Sequence, residues 1–478
     1  MDRSQIMGEG SIPRLLLKFS VPAIVGMLVN ALYNVVDRIF IGLGVGPLGI
    51  AGVTVGFPIM IVQMAFGMLI GMGATALVSI RLGEKRKEEA ERILGNAFSL
   101  LVLVSLALMA AGLIWLRPLL GLFGASPAIL AQGHEYLSII LAGSVFMGVG
   151  FGMNGFIRAE GSPRMAMLTM VIGAALNTLL DPLFIFVFKM GVRGAAIATV
   201  ISQAVSAAWV LGHFLGGRSL LKIRLANLRI RWRIMMGILS IGFAPFAMQL
   251  AASVLNALLT RQLQRYGGDL AIAAMGIFFS LNMLILMPIF GINQGAQPLI
   301  GYNYGARRFD RVKQTLRLAI AAATAVVLGG FAAIELFPSS LIRLFSRDSA
   351  ELLAIGVTAL RLCLATLPVV GFQIVAASYF QAVGKPRQAM LLMLSRQVLL
   401  LIPAILILPR FFGLLGIYYA VPLADLGSAL LTGIWLAREL RRLDRQHGEQ
   451  GAAQAPPTPA GEPAALPSLP LPQEQFAE

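Results

Sequence analysis

LGIAGVTVGFPIMIVQMAFGMLIGMGATALVSIRLG, residues 48–83, recurs in its small and apolar positions as LAIAAMGIFFSLNMLILMPIFGINQGAQPLIGYNYG, residues 270–305. Leu48, Ile50, Ala51, Phe57, Gly73, Ala74 and Gly83 reappear 222 positions later as Leu270, Ile272, Ala273, Phe279, Gly295, Ala296 and Gly305. A second match follows, in which Arg158–Arg164 (RAEGSPR) aligns with Gln381–Arg387 (QAVGKPR). Each long stretch exceeds the ~20 apolar residues that a helix needs to cross the hydrocarbon of a bilayer. The chain therefore reads as a duplicated bundle of membrane-spanning helices.

Outward from that stretch the same pattern continues. Hydrophobic residues make up 58% of the chain and charged residues 13%, with a mean hydropathy of +0.81, which excludes an ordinary soluble domain. Unpaired strand edges are too costly in lipid, and the runs lack the alternation of a barrel. The expected fold is all-α, with twelve transmembrane helices. Six of them fall near 15–39, 48–78, 93–116, 129–156, 164–188 and 194–215. The other six fall near 235–260, 269–302, 314–337, 350–380, 387–409 and 413–437. Residues 1–215 form one six-helix lobe, the basic loop 216–233 joins it to a second at 234–440, and the Pro- and Gln-rich segment 441–478 is expected to be a disordered tail. Six spans per half means that both halves insert in the same direction, as parallel repeats around a central cavity.

The net charge of +16 could point to nucleic acid, but its distribution points to topology. Of the 38 Lys and Arg residues, 27 lie on the side of the amino terminus and 8 on the other. That bias places both termini in the cytoplasm of a multi-pass protein and leaves no nucleic-acid role. The one cysteine, Cys363, gives neither a disulfide framework nor a thiol metal site. There is no Walker loop, HExxH pair or nucleophile elbow, so an enzyme or an ATP-driven pump is not expected. No cofactor is expected either. Energy then comes from an ion gradient, across the lipid bilayer that is the chain's main partner.

Polar residues inside the spans are costly and mark function. Asn30, Asn34 and Asp37 form a stripe on the first helix, Asn177 and Asp181 share a face of the fifth, and Thr199 and Gln203 share a face of the sixth. Carboxylate, amide and hydroxyl oxygens of this kind suit either a proton relay or a small hard cation. The second copy kept the skeleton without the acids: Asp37 falls opposite Leu259 or Thr260, and Asp181 opposite Ile402 or a neighbour. Its polar residues are mostly neutral, among them Asn256 and Asn282 as cavity candidates. Asp425 is its one acid well inside a span and a candidate substrate contact. Pro22 in the first helix and Pro245 in the seventh remove a backbone hydrogen bond and permit bending.

Leu32-Tyr33-Asn34-Val35-Val36-Asp37, Arg158-Ala159-Glu160-Gly161, Leu176-Asn177-Thr178-Leu179-Leu180-Asp181-Pro182 and Gly194-Ala195-Ala196-Ile197-Ala198-Thr199, in this order, resemble the multidrug and toxic compound extrusion (MATE) family. The likeness covers residues 13–440 and leans to the prokaryotic branch with DinF-like and MepA-like exporters. The resemblance implies a V-shaped pair of lobes in the inner (plasma) membrane that, as a monomer, exports small amphipathic cations by antiport with protons or sodium. It implies a coupling site at Asp37, Asn177, Asp181 and Thr199, which could hold sodium, with Tyr136 and Asn154 in the same network or cavity, and a bending role for Pro22. Two other readings stay open. One is a lipid-linked oligosaccharide flippase of the same superfamily, which favours more helices and a basic cavity. The other is an uncoupled channel or scaffold.

Overall fold

The computed structural model describes residues 5–123, 125–217, 219–343 and 350–454, and among them every regular element is helical. Among the described residues, nine helices are long and apolar enough to cross a membrane. Two helix pairs, bent by 56° and 45°, each make one further span. The 74-residue helix Trp232–Gly305 is two spans meeting at Gly268, whose φ of 64° and ψ of −161° interrupt the helix. Glycine adopts that backbone at little cost because it has no Cβ. Twelve spans result, as the apolar runs predict.

In order they are α1 (Ile12–Gly44), α2 (Pro47–Gly83), α3 (Lys87–Ile114), and α4, the bent pair Pro127–Ala142 and Ser144–Ala159. Next come α5 (Pro163–Val187) and α6 (Gly191–Leu215). The parts of Trp232–Gly305 before and after Gly268 are α7 and α8, followed by α9 (Phe309–Leu336) and the bent pair Ala350–Leu364 and Leu367–Ala382 as α10. The last two are α11 (Pro386–Phe412) and α12 (Leu414–Gln454). Met1–Leu436 packs as one compact unit, so the two lobes share their packing and are not separate bodies.

Glycines make that shared seam. A Cβ on Gly83 would stand 2.0 Å from the Tyr302 carbonyl oxygen, and one on Gly305 would stand 2.1 Å from the Ile80 carbonyl oxygen. Positions 80 and 83 are the repeat partners of 302 and 305, so the contact between α2 and α8 is reciprocal. Further along, Gly242 of α7 lies against the Leu69 carbonyl of α2, Gly73 against that of Ile238, and Gly291 and Gly295 of α8 against Ile24 and Ser20 of α1. All these contacts fall toward one end of the bundle, the end that carries Ile12, Gly83, Trp232 and Gly305. We call it the inner end.

Polar straps cross the seam at the same end. The loop that leads into α7 is fastened to the first lobe: fully buried Glu160 pairs with His213 through Oε1, and its Oε2 accepts from Ser219 Oγ (2.6 Å), Leu220 N (3.1 Å) and Leu221 N (3.4 Å). Arg224 pairs with Glu91 at 2.9 Å, and Asn96 accepts from Arg231 N at 2.7 Å. The segment that leads into α1 is fastened to the second lobe, where Arg311 donates to the carbonyls of Met7 (3.1 Å) and Gly10 (2.6 Å). Each lobe thus holds the lead-in strand of the other. Glu160→Gln keeps the shape and leaves one acceptor oxygen for these donors, so it is expected to cost about 1–3 kcal/mol. Thermal unfolding of purified protein checks this, and an unchanged midpoint would refute the strap.

The second compact unit, Ala437–Glu478, is helical through Gln454. A disordered tail from residue 441 is therefore corrected up to that point: Glu439–Gln454 is rich in Arg, Leu, Glu, Gln and Ala, good helix formers, and prolines begin only at Pro456. Residues 455–478 lie outside the described residues.

Candidate functional site

Helix α1 presents two different faces. Residues seven or eleven positions apart on a helix of 3.6 residues per turn point the same way. Gly26 and Gly44, eleven before and seven after Asp37, touch Met170 and Ile185 of α5. Asp37 is therefore aimed into the first lobe, and it is 8% exposed. The face with Ser20, Ile24 and Met27 packs on α8 instead.

The acid face meets a compact polar cluster. Asn177 Nδ2 of α5 donates to Asp181 Oδ1 at 3.3 Å and to Thr199 Oγ1 of α6 at 3.2 Å. Asp181 is fully buried, and its carboxyl group neighbours that of Asp37. Buried Tyr136, from α4, and Tyr33 of α1 lie in the neighbourhood of these groups. Directly after Asp181 and Pro182, the backbone widens into a π-turn at Leu183–Val187, a feature that recurs at functional sites. Five residues expected at the site, Asp37, Asn177, Asp181, Thr199 and Tyr136, are brought together from four helices.

Three oxygens in this cluster, Asp37 Oδ1, Asn177 Oδ1 and Asp181 Oδ2, are buried and accept no hydrogen bond. Buried acceptors without donors are costly, and two facing carboxylates repel unless a positive charge lies between them. The cluster is thus chemically incomplete in one specific way. A positive charge, whether a proton or a small hard cation, would satisfy these oxygens.

The remaining expected residues fall elsewhere. Asn34 donates to Asn30 (2.7 Å to its carbonyl) and is exposed, on the side of α1 that packs on α8 further in. Gln203, one turn beyond Thr199, has a buried unpartnered Oε1 and extends the polar cluster. Asn256 is exposed on the side of α7 that carries Gly242, facing the other lobe. Three other cavity candidates have different surroundings. Asn154 is fully engaged, donating to the Ala166 carbonyl at 2.9 Å and accepting from Arg158, so it ties α4 to α5. Asn282 sits nine positions from Gly291, on the opposite side of α8 from the seam. Asp425 is 4% exposed and paired with Arg396 Nε of α11 at 2.5 Å, and its other oxygen accepts from Thr366 at 3.1 Å. Its charge is already matched inside the second lobe.

The MatE family model matches residues 22–183 and 245–406, one match in each lobe. The chain belongs to the MatE family. Multidrug export protein MepA of Staphylococcus haemolyticus (strain JCSC1435) is 27% identical, with 88% of this chain and 93% of that protein aligned. MepA of Staphylococcus aureus (strain NCTC 8325 / PS 47) is 26% identical over 90% of this chain and 95% of its own length. Among solved structures, the MATE multidrug transporter DinF-BH is 42% identical with a TM-score of 0.84, covering 90% of this chain and 96% of that one. An outward-facing multidrug resistance MATE family transporter of the MOP superfamily has 26% identity and a TM-score of 0.86, covering 93% and 99%. The chain is thus a multi-pass membrane transporter with the MATE architecture of two six-helix lobes.

Proposed function

We propose that this chain is a secondary active multidrug exporter of the plasma membrane, which works as a monomer and antiports amphipathic, cationic compounds against protons or sodium ions, with both termini in the cytoplasm. The observation that carries the coupling is the set of three unpartnered buried oxygens on Asp37, Asn177 and Asp181. Relatives of similar length are named multidrug export proteins, which supports the substrate class.

Helix α1 supplies the link between ion and motion. Its Asp37 face reads the charge state of the cluster, and its Ser20–Ile24–Met27 face forms part of the inner seam with α8. Pro22 lies between two of those seam contacts, so bending there acts on the seam. Without a bound ion the two carboxylates push apart and α1 is displaced from α5. With one bound, α1 is drawn back. An ion and a drug that prefer different positions of α1 exclude one another across the cycle, which is what exchange requires.

Liposomes loaded with ethidium test the reading. With purified protein inserted, a proton or a sodium gradient imposed separately is expected to accelerate efflux for one ion, by roughly the 5–150-fold that coupling energies of 1–3 kcal/mol allow. Equal efflux with and without either gradient would sink the antiport reading.

A further inference from the structure

The loop that leads into α7 lies flat on α3 at the inner end, and between Asn227 and Arg231 it is held through its backbone. Asn96 Nδ2 donates to the Asn227 carbonyl at 3.1 Å, Asn96 Oδ1 accepts from Arg231 N at 2.7 Å, and Ser99 Oγ donates to the Leu228 carbonyl at 2.7 Å. A Cβ on Gly95 would stand 2.6 Å from the same Asn227 carbonyl oxygen, so loop and helix touch directly. The side chains are left to face outward. Arg229, Ile230, Arg231, Trp232 and Arg233 are all exposed, Trp232 by 70%. Arg231 has an extended backbone (φ −107°, ψ 120°), which sends its side chain to one side and those of Ile230 and Trp232 to the other.

Depth decides what these two sides meet. Arg233 and Arg261, near either end of α7, are 28 residues apart, or about 42 Å along a helix. The hydrocarbon of a bilayer is ~30 Å thick and the whole bilayer ~40–45 Å with its headgroup layers, so the pair reaches from one headgroup layer to the other. Ile230–Arg233 therefore lies at the inner membrane–water boundary, a level that favours tryptophan. The charges there are unmatched. The acids in the first turns of α3 are engaged elsewhere, Glu88 with Arg92 at 3.9 Å, Glu89 with Arg81 at 3.2 Å and Glu91 with Arg224 at 2.9 Å. Among the described residues Arg229, Arg231 and Arg233 have no carboxylate partner. Unpaired guanidinium groups beside apolar side chains at headgroup depth complement a phosphate diester that carries acyl chains.

We propose that Arg229–Arg233 is a binding surface for an anionic phospholipid of the inner leaflet. The phosphate diester is held by Arg231 with its neighbours Arg229 and Arg233, and the acyl chains run past Ile230 and Trp232 into the bilayer. A zwitterionic headgroup brings its own cation and meets the same guanidinium groups less favourably. The loop is the covalent link between the lobes, and Gly73 and Gly242 close the seam at the same end. An anionic lipid bound here therefore fastens the lead-in of α7 to the membrane beside that seam. The surface shares no residue with the Asp37 cluster, so its test stands apart from the antiport reading.

Native mass spectrometry of the full chain in a neutral detergent tests this, with dioleoyl phosphatidylglycerol and dioleoyl phosphatidylcholine added in turn. The parent chain is expected to retain phosphatidylglycerol in preference. Arg229→Gln combined with Arg231→Gln should weaken phosphatidylglycerol about 25-fold, or about fivefold for each cation removed at a membrane surface, and leave phosphatidylcholine unchanged. Trp232→Ser removes apolar contact alone and should weaken both lipids by one smaller factor. Arg317→Gln combined with Arg387→Gln removes two exposed inner-end cations of the second lobe and should change neither. The variants should unfold at the parent's temperature in detergent without added lipid, because the bonds to Asn96 and Ser99 use the loop backbone. Equal retention of the two lipids by the parent, or an equal loss in the second-lobe pair, would overturn the proposal, the latter because a diffuse basic surface then suffices. So would displacement of phosphatidylglycerol by millimolar glycerol phosphate, because the ligand would then be a soluble phosphate.

Discussion

Asp37→Asn is expected to abolish gradient-driven drug export while leaving the amount and folding of the protein in the membrane unchanged. The substitution keeps the size of the side chain and removes the charge. It also supplies an amide donor beside Asp181, whose Oδ2 is buried and unpartnered. An asparagine at this position therefore satisfies part of the cluster permanently, as a bound proton would. The repulsion between two carboxylates disappears, and with it the difference between the ion-free and ion-bound positions of α1. A ligand that no longer distinguishes two states shifts neither. The acceleration that a gradient gives, roughly 5–150-fold, should vanish in liposomes, and drug resistance in cells should fall to the level of cells lacking the protein. Asp425→Asn is the control, because that carboxylate is matched by Arg396 and Thr366 and lies in the other lobe. Retained coupling in Asp37→Asn, or equal loss in Asp425→Asn, would refute the assignment.

Why the grouping of Asp37 with Asp181 was legible in the sequence, and the direction of Arg38 and the partners of Asp425 were not, follows from what each inference needs. A lone acid in an apolar run is informative because burial of a charge in lipid is costly wherever it points. The same logic gave the twelve spans, since ~20 apolar residues cross a bilayer regardless of their neighbours. The four-residue spacing of Asn177 and Asp181 placed both on one face, and the structure joins them to Thr199. Direction is harder. Consecutive residues on a helix differ by about 100°, so Asp37 and Arg38 serve different faces, and only contacts made by Gly26, Gly44 and Met27 tell which is which. Pairing between distant helices is harder still. Arg396 stands 29 positions from Asp425 and meets it because α11 widens into a π-turn at Ser395–Leu401, which residue spacing does not reveal. Glu160 was visible as part of a repeated motif, but its partners Ser219, Leu220 and Leu221 lie beyond two further spans.

Gly242→Ala should force the lobes apart at the inner end. A Cβ at this position would sit 1.7 Å from the Leu69 carbonyl oxygen, with the Leu69 carbonyl carbon at 2.6 Å and its Cα at 3.0 Å. All three atoms belong to the backbone of α2, so no side-chain rotation relieves the clash. One methyl group therefore has to move a whole helix by more than 1 Å, on the order of the shortfall from ordinary van der Waals contact. Overpacking that cannot be absorbed locally costs about 3 kcal/mol or more. The reciprocal contacts of Gly83 with Tyr302 and Gly305 with Ile80 lie on the same seam, so separation of α7 from α2 strains these too. Gly276 of α8 and Gly329 of α9 provide matched controls, since an added Cβ at either meets nothing within 4 Å. The expected result is a lowered unfolding temperature for Gly242→Ala and a longer distance between spin labels on the inner ends of α2 and α7. Gly276→Ala and Gly329→Ala should match the parent chain in both. If Gly242→Ala behaves like the controls, the seam is not held by backbone contact, and the reciprocal glycine packing would not be what closes the inner end.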